Sequence, residues 1–135
     1  MIRILDLTIS IVVLLILSPF LLIIGFLILA FDGAPVFFIQ KRVGKGGKLF
    51  PFIKFRTMQL NADKSIPVTV GSNDPRITRN GRWLRRYKFD ELPQLLNVIR
   101  GDMSLVGPRP EQERYVDIQS DVWRKALSVR PGITD

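Results

Sequence analysis

The stretch Lys88–Pro110, KFDELPQLLNVIRGDMSLVGPRP, determines how the rest of the chain is interpreted. From Leu92 its apolar residues recur at the i, i+3, i+4, i+7 spacing of one helix face, and Gly101 follows as a terminator. The stretch therefore predicts a short helix with one buried face, opened by two adjacent carboxylates.

Those carboxylates, Asp90 and Glu91, are placed for different roles. Asp90 stands at the expected N-cap, and Pro93 is tolerated in the first turn because the first backbone donors have no intrahelical partner. The positive end of the helix favours an ionised carboxylate and also a phosphate beside it. The two acids lie roughly 100° apart around a helix, so they do not share one proton. Taken alone, a capping acid followed by an exposed acid is the simpler interpretation.

Two arginines flank the acidic pair in sequence. Arg85 precedes Asp90 by five residues, and Arg109 follows the helix between two prolines. A planar guanidinium suits phosphate oxygens better than an ammonium group does, and the prolines restrict the backbone that aims Arg109. The flanking arginines therefore weigh against simple capping as the whole role of the acidic pair.

Composition narrows the chemistry that this chain of 135 residues, long enough for one compact domain, can perform. The absence of Cys and His excludes disulfides, a thiol nucleophile, a histidine base and a Cys/His zinc site. Any metal would be a hard cation held by oxygen. The net charge of +8 indicates anionic lipid headgroups or phosphorylated substrates, with nucleic acid as the rival partner.

An uncharged apolar run, Leu7–Phe31, predicts a membrane segment. As a helix it would be about 37 Å long, more than the roughly 30 Å of a hydrocarbon core. Ser18 and Pro19 at its middle predict a kink, with the serine hydroxyl satisfying a freed carbonyl. Hydropathy and the basic flank favour a kinked spanning helix. A signal peptide is disfavoured, since the run is long and no cleavage site follows Ala30.

Two apolar runs, Val36–Val43 and Leu49–Phe55, surround the glycine-rich Gly44–Lys48 and predict a β-hairpin or an extended loop pair. The glycines lack Walker spacing, so a nucleotide loop is not indicated. If Lys54–Met58 is extended, Lys54 and Arg56 point to one face of the strand, which is either solvated or functional.

Two further segments flank this region and the central stretch. The polar stretch Asn61–Arg82 is predicted as a loop with short helical pieces at most. Tyr115, Ile118, Val122 and Leu127 share one face of a predicted helix, which would pack on the domain or, alternatively, lie in the headgroup layer.

Three blocks of the chain resemble the signatures of a known family: Asp90–Gln94, Gly101–Pro110 and Arg130–Thr134. They are similar to those of the bacterial sugar transferases, the monotopic polyprenol-phosphate phosphoglycosyl transferases. The resemblance covers nearly the whole chain and implies an α+β, mostly helical fold. Residues 1–31 would form a re-entrant membrane helix broken at Ser18 and Pro19. Residues 32–135 would form a small cytoplasmic, membrane-associated catalytic domain with a short β-hairpin and amphipathic interface helices. Sequences of the family continue beyond the position of Asp135, so the possibility that the domain is truncated at its C-terminus is left open.

The resemblance also implies a reaction. Asp90 would attack the phosphate on the sugar of a UDP-sugar, release UMP and carry the phosphosugar until polyprenol phosphate accepts it. Glu91 would act as a base or position the attacking phosphate. Such a transfer begins the membrane stage of glycoconjugate assembly. The residues matching the family's phosphate- and substrate-binding positions are Lys54, Arg56, Arg85 and Arg109.

The expected cofactor is Mg²⁺ held at Asp90, because a diphosphate adds negative charge beside a carboxylate. The expected partners are a UDP-sugar, polyprenol phosphate and the lipid bilayer, without nucleic acid, at the cytoplasmic face of the bacterial inner membrane. The oligomeric state is left open, a homodimer included. The alternative is a membrane-anchored basic module that binds anionic lipid without catalysis.

Overall fold

The computed structural model describes residues 1–60 and 74–134, so most of the predicted polar loop lies outside the described residues. The fold mixes helices and strands, about half helical, and begins with a long apolar helix, as predicted. The elements are α1 (Ile2–Phe31), β1 (Phe37–Val43), β2 (Leu49–Phe55), α2 (Arg79–Tyr87), α3 (Gln94–Arg100), β3 (Ser104–Val106), α4 (Asp121–Ala126) and β4 (Gly132–Thr134). A short helical piece, which the loop prediction allowed, begins at Arg79, where the hydroxyl of Thr78 caps α2 by accepting from the Gly81 N–H at 2.9 Å.

The N-terminal end of α1 is bound to the rest of the chain by charged side chains. Arg3 donates to two carbonyl oxygens in the last turn of α3, at 2.5 and 3.0 Å. The buried Asp6 carboxylate accepts from the Ser104 hydroxyl at 2.6 Å and from the Leu105 N–H at 3.4 Å. The start of the apolar helix therefore holds both α3 and β3.

The C-terminal half of α1 contributes to a hydrophobic core. Ile24 and Ile28 are buried there and pack with Phe55 of β2 and Leu84 of α2. The opposite side of α1 leaves many large apolar side chains exposed, among them Leu15 and Phe26. By its length and composition α1 could cross a membrane, yet it contacts the remaining chain at both of its ends.

The middle of α1 continues as a helix through Pro19. The Ser18 hydroxyl donates to the Leu15 carbonyl at 2.8 Å, which is the acceptor that the proline nitrogen leaves without an N–H donor. The predicted role of Ser18 is thereby confirmed. The kink and the re-entrant path stay predictions.

The predicted β-hairpin is confirmed. Strands β1 and β2 pair antiparallel from Phe37 opposite Phe55 to Val43 opposite Leu49. A second hydrophobic core lies between this hairpin and the α3–β3 segment. Its buried members are Phe50, Phe52, Val98 and Met103.

Helix α3 begins later than predicted, at Gln94, with Pro93 as its N-cap. The preceding Phe89–Glu91 forms a 3₁₀ turn, so the prediction that Asp90 is the N-cap is wrong. Proline has no N–H with which to close an α-helical bond to the Phe89 carbonyl, and this segment uses tighter i to i−3 bonds instead. The predicted terminator Gly101 is confirmed, with φ of 97°.

The buried face of α3 differs from the predicted one. Leu95 and Val98 are buried, but Leu96 is 38% exposed. The amide of Asn97 donates to the Pro51 carbonyl at 2.6 Å and accepts from the Ile53 N–H at 3.1 Å. Those bonds turn the polar Asn97 toward the hairpin, which displaces Leu96 from the interior.

Strands β3 and β4 form a parallel pair whose backbones touch. A Cβ on Gly132 would lie 2.0 Å from the Gly107 nitrogen, and one on Gly107 would lie 2.5 Å from the Arg130 carbonyl oxygen. Only glycine fits at both positions, and this close approach fixes the backbone that leads to Arg109.

The predicted helix between Pro110 and Pro131 is wrong in length, and its expected packing on the domain is also wrong. The alternative placement of its apolar face in the headgroup layer stays a prediction. Only the 3₁₀ turn Glu113–Tyr115 and the short α4 are helical in this region. Asp117 accepts from the N–H of Gln119 through its side chain, at 3.0 Å, and from that of Ser120 through its carbonyl. This local turn competes with helix. The predicted face is largely exposed at Tyr115, Ile118 and Val122, while Leu127 is half-buried.

We expect Asp6→Ala to lower the free energy of unfolding by about 1–3 kcal/mol, because the buried Ser104 hydroxyl loses its acceptor. Combined with Ser104→Ala in a double-mutant cycle, the coupling should exceed about 0.5 kcal/mol. Denaturant unfolding in detergent would measure both. Thr8→Val is the matched control, since its exposed hydroxyl bonds only within α1. Additive effects of the two substitutions would contradict a direct Asp6–Ser104 interaction.

Candidate active site

Asp90 is a buried carboxylate, with 6% of the residue exposed. Burial raises the pKa of its carboxyl group above the usual range. The Lys54 ammonium and the Arg85 guanidinium lower that pKa, whereas the neighbouring Glu91 raises it. The prediction that this carboxylate would be stabilised at a helix N-terminus is thus replaced by a desolvated acid among cations.

Lys54 comes from the hairpin, and of the neighbouring charges it lowers the pKa of Asp90 the most, against the effect of burial. Burial lowers the pKa of the Lys54 ammonium, and Arg85 lowers it further, while Asp90 raises it. Its nitrogen also lies 5.6 Å from the ring centroid of Phe38, its partner across the strands. The hairpin therefore holds a partly desolvated cation against the acidic pair.

Arg85 of α2 is oriented by Thr57. Its Nε donates to the Thr57 hydroxyl at 2.8 Å, and Thr57 is buried just after β2. Helix α2 can approach this closely because Gly81 faces Thr57. A Cβ on Gly81 would lie 2.1 Å from the backbone carbonyl oxygen of Thr57. We did not predict Thr57 as part of the site, although it stands in the same Lys-x-Arg-Thr block as Lys54.

Glu91 and Arg109 form an ion pair beside Asp90. Nη2 of Arg109 lies 2.9 Å from Oε1 of Glu91, whose side chain is 18% exposed. The Arg109 side chain is 53% exposed and remains accessible to a ligand. The two acids thus have different surroundings, in agreement with the prediction that they point in different directions.

Arg42 is a further cation of the site that we did not predict. Its Nη1 donates to the Pro110 carbonyl at 2.9 Å, and its guanidinium lies 4.9 Å from the Phe52 ring centroid. Burial lowers the pKa of Arg42, Glu111 raises it, and Arg109 lowers it. The register of the hairpin places Arg42 on the same face as Lys54. The sequence of the five-residue turn does not reveal that register in advance.

Arg56 does not join this group in the structure. It is buried, and its Nη2 donates to the carbonyl oxygens of Asp32 and Gly33, at 2.9 Å to the latter. Its observed contacts hold the end of α1 against the hairpin. A contact between Arg56 and phosphate stays a prediction.

The site brings four cationic side chains around two carboxylates. Such an excess of positive charge suits a ligand with two negative charges, such as a diphosphate. Within the described residues, no group of three or more acidic or histidine side chains could hold a metal ion by itself. The Asp90 carboxylate nevertheless fits Mg²⁺, which uses one or two carboxylates together with substrate phosphates.

Comparison with known proteins identifies the class to which this fold and site belong. The sequence profile described as "Bacterial sugar transferase" matches residues 1–135. The chain belongs to this family. The predicted resemblance is thereby confirmed.

Three relatives illustrate the range of the family. The chain is 40% identical over 151 residues to an undecaprenyl-phosphate galactose phosphotransferase of Salmonella typhimurium, covering 98% of the chain and 31% of that protein. It is 39% identical over 144 residues to the exopolysaccharide production protein ExoY of Sinorhizobium fredii, covering 96% and 64%. It is 47% identical over 109 residues to an undecaprenyl-phosphate glucose phosphotransferase of Komagataeibacter xylinus, covering 80% and 20%. The chain thus spans less than two thirds of each of these relatives.

We expect the natural chain to lose stability as pH rises and the Asp90→Asn variant not to show this loss. Because the folded-state pKa of Asp90 is raised, its protonated form contributes stability that is lost as pH climbs from about 3.9 through that pKa. The asparagine variant does not titrate there, so its melting temperature minus that of the natural chain should increase between pH 4 and pH 8. Asp121→Asn, at a fully exposed side chain, should show no such trend. A difference that shrinks toward neutral pH would mean that the site stabilises the ionised carboxylate.

Proposed function

We propose that this chain transfers a phosphosugar from a UDP-sugar to a polyprenol phosphate, releasing UMP and forming a polyprenol-diphospho-sugar. The observation that carries the proposal is the buried Asp90 carboxylate surrounded by Lys54, Arg85 and the Glu91–Arg109 ion pair. Membership of the sugar transferase family and the names of the relatives, which act on undecaprenyl phosphate, support it.

The reaction proceeds in two displacements at one phosphorus atom. In the first, an Asp90 oxygen bonds to the phosphorus attached to the sugar, the diphosphate bridge breaks, and UMP leaves with the bridging oxygen. In the second, an oxygen of the acceptor phosphate bonds to the same phosphorus, and the Asp90 carboxylate is released unchanged. A carboxylate that forms a covalent intermediate divides one difficult transfer into two easier steps.

The cations have distinct tasks in this scheme. Lys54 and Arg85 lie on the Asp90 side, where they favour the ionised nucleophile against the cost of burial and attract the diphosphate. Arg109 is aimed by the Gly107–Gly132 contact and by Arg42, and it neutralises charge on the transferring group. Glu91 accepts a proton from the attacking phosphate, or positions that phosphate.

Asp90 would hold Mg²⁺ together with the phosphate oxygens of the substrate. When bound, the ion screens the charges of the diphosphate and polarises its P–O bonds. The protein cations share this task, which is consistent with the small number of carboxylates at the site.

The N-terminal helix is proposed to enter the cytoplasmic leaflet and to leave both of its ends at the same face. The ends of a helix of 30 residues are about 44 Å apart. Nevertheless both ends of α1 contact the remaining chain, since Arg3 binds the end of α3 and Asp32 contacts Arg56. A helix that crossed the bilayer at this length would carry one of these contacts to the far side. Its exposed apolar face is available to lipid along its whole length.

Asp90→Asn should abolish release of UMP from a panel of UDP-hexoses and UDP-N-acetylhexosamines, since an amide oxygen does not replace the carboxylate nucleophile. It should also abolish the phosphosugar adduct seen by intact-mass spectrometry, while the variant still fractionates with membranes. Asp121→Asn should retain the rate of the natural chain. Turnover by Asp90→Asn at an undiminished rate would remove Asp90 from the mechanism, and lipid binding without any turnover by the natural chain would favour the lipid-binding alternative.

Single-cysteine variants can test the membrane path directly, because the chain has no Cys of its own. Ile2→Cys and Lys48→Cys, both at exposed residues, should react with a membrane-impermeant maleimide from the cytoplasmic side. Leu15→Cys, exposed on the apolar face, should be protected from both sides. Labelling of Ile2→Cys from the opposite side to Lys48→Cys would indicate a spanning helix.

A further inference from the structure

A cavity of about 310 Å³ opens on the Glu91 side of the acidic pair. Its lining divides into two parts. The charged part consists of Lys88, Glu91 and Arg109, and the apolar part consists of Leu92, Leu95 and Ile133. Thr134 also lines the cavity, and its hydroxyl donates to the Leu105 carbonyl at 3.1 Å.

Lys88 has an unusual backbone for its residue type. Its φ of 58° and ψ of 26° lie in the left-handed region, and among the described residues no other non-glycine has a positive φ. The conformation itself ends α2, since the Lys88 N–H donates to the Arg85 carbonyl at 3.2 Å. Glycine or asparagine adopts it with less strain, so the end of the helix does not account for a lysine at this place.

The cations of this cavity are available to an anion. Lys88 is exposed and makes no ion pair within the described part of the chain, and Arg109 is half-exposed. An anionic group entering here would meet both cations and would compete with Glu91 for Arg109. The Glu91 carboxylate would then be released beside the newcomer.

The apolar part selects among phosphate compounds. Leu92, Leu95 and Ile133 offer only aliphatic surface, which suits a hydrocarbon chain attached to the phosphate. Against these three side chains a uracil or a ribose would leave its hydrogen-bonding groups without partners, and the Thr134 hydroxyl already donates to the Leu105 carbonyl. The lining therefore favours an amphiphile over a nucleoside.

We propose that this cavity is the acceptor subsite: Lys88 and Arg109 hold the phosphate of the polyprenol phosphate, and the leucine and isoleucine side chains receive its first isoprene unit. The inference rests on the proposed function and adds the location of the acceptor. An oxygen of the acceptor phosphate bonds to the phosphorus carried by Asp90, the bond between that phosphorus and the Asp90 oxygen breaks, and Asp90 leaves as a free carboxylate.

The test separates the two displacements. Formation of the adduct with a UDP-sugar alone, in a single turnover, reports the first step, and transfer at varied polyprenol phosphate concentrations reports the second. We expect Lys88→Asn to raise the KM for polyprenol phosphate about tenfold or more, as loss of a charged hydrogen bond implies. Adduct formation should fall far less. Lys88→Arg should restore the acceptor KM to within about threefold of the natural value.

Two controls keep the result interpretable. Lys125→Asn removes an exposed lysine charge on α4 and should leave both steps unchanged. Lys88→Gly, which fits the left-handed backbone, repeats the loss of charge if the asparagine variant folds poorly. An equal loss in both steps, or a rise in the KM for the UDP-sugar alone, would overturn the acceptor assignment. Failure of the natural chain to form any adduct would instead count against the proposed function.

Discussion

The docking of α1 along the remaining chain is the interaction on which the other features depend. An apolar helix that merely anchors a domain needs no polar contacts with it, yet Arg3 and Asp6 are bound to α3 and β3. Helix α3 directly follows the acidic pair, and strand β3 precedes Arg109. The C-terminal half of α1 meanwhile packs on Phe55 and Leu84. The apolar helix is therefore part of the scaffold that sets the distances within the site.

A second constraint is electrostatic. Burying Asp90 costs free energy in its ionised form, and the neighbouring cations offset only part of that cost, since its pKa remains raised. Stability is thus lost at the residue proposed as the nucleophile, as expected where a site is arranged for a ligand rather than for the empty protein. A diphosphate would find the cations already oriented, by Thr57 for Arg85 and by the ion pair for Arg109.

The sequence predicted those elements whose determinants are local. The hairpin follows from two apolar runs and a glycine-rich turn, the end of α3 from Gly101, and the Ser18 contact from proline chemistry. The predictions that failed depend on tertiary contacts or on competing turns. Leu96 is exposed because Asn97 bonds to the hairpin, and the helix expected before Pro131 is interrupted by the turn at Asp117.

The site was predictable in part for the same reason. Asp90, Glu91, Arg85 and Arg109 stand close together in sequence around a single helix, and Lys54 lies across a hairpin whose alternation is visible. Arg42 and Thr57 act through other residues, by contacts that depend on strand register and on the approach of α2 at Gly81. Periodicity does not reveal such partners.

The contact between Gly107 and Gly132 has a consequence for how this protein can vary. Main chain rests directly on main chain there, with no room for a methyl group on either side. The path of the main chain that leads to Arg109 is consequently set by backbone contact at these two positions and not by the size of a side chain there. Substitutions around this contact would leave the main chain before Arg109 in place, provided that these two positions keep a hydrogen atom as their whole side chain.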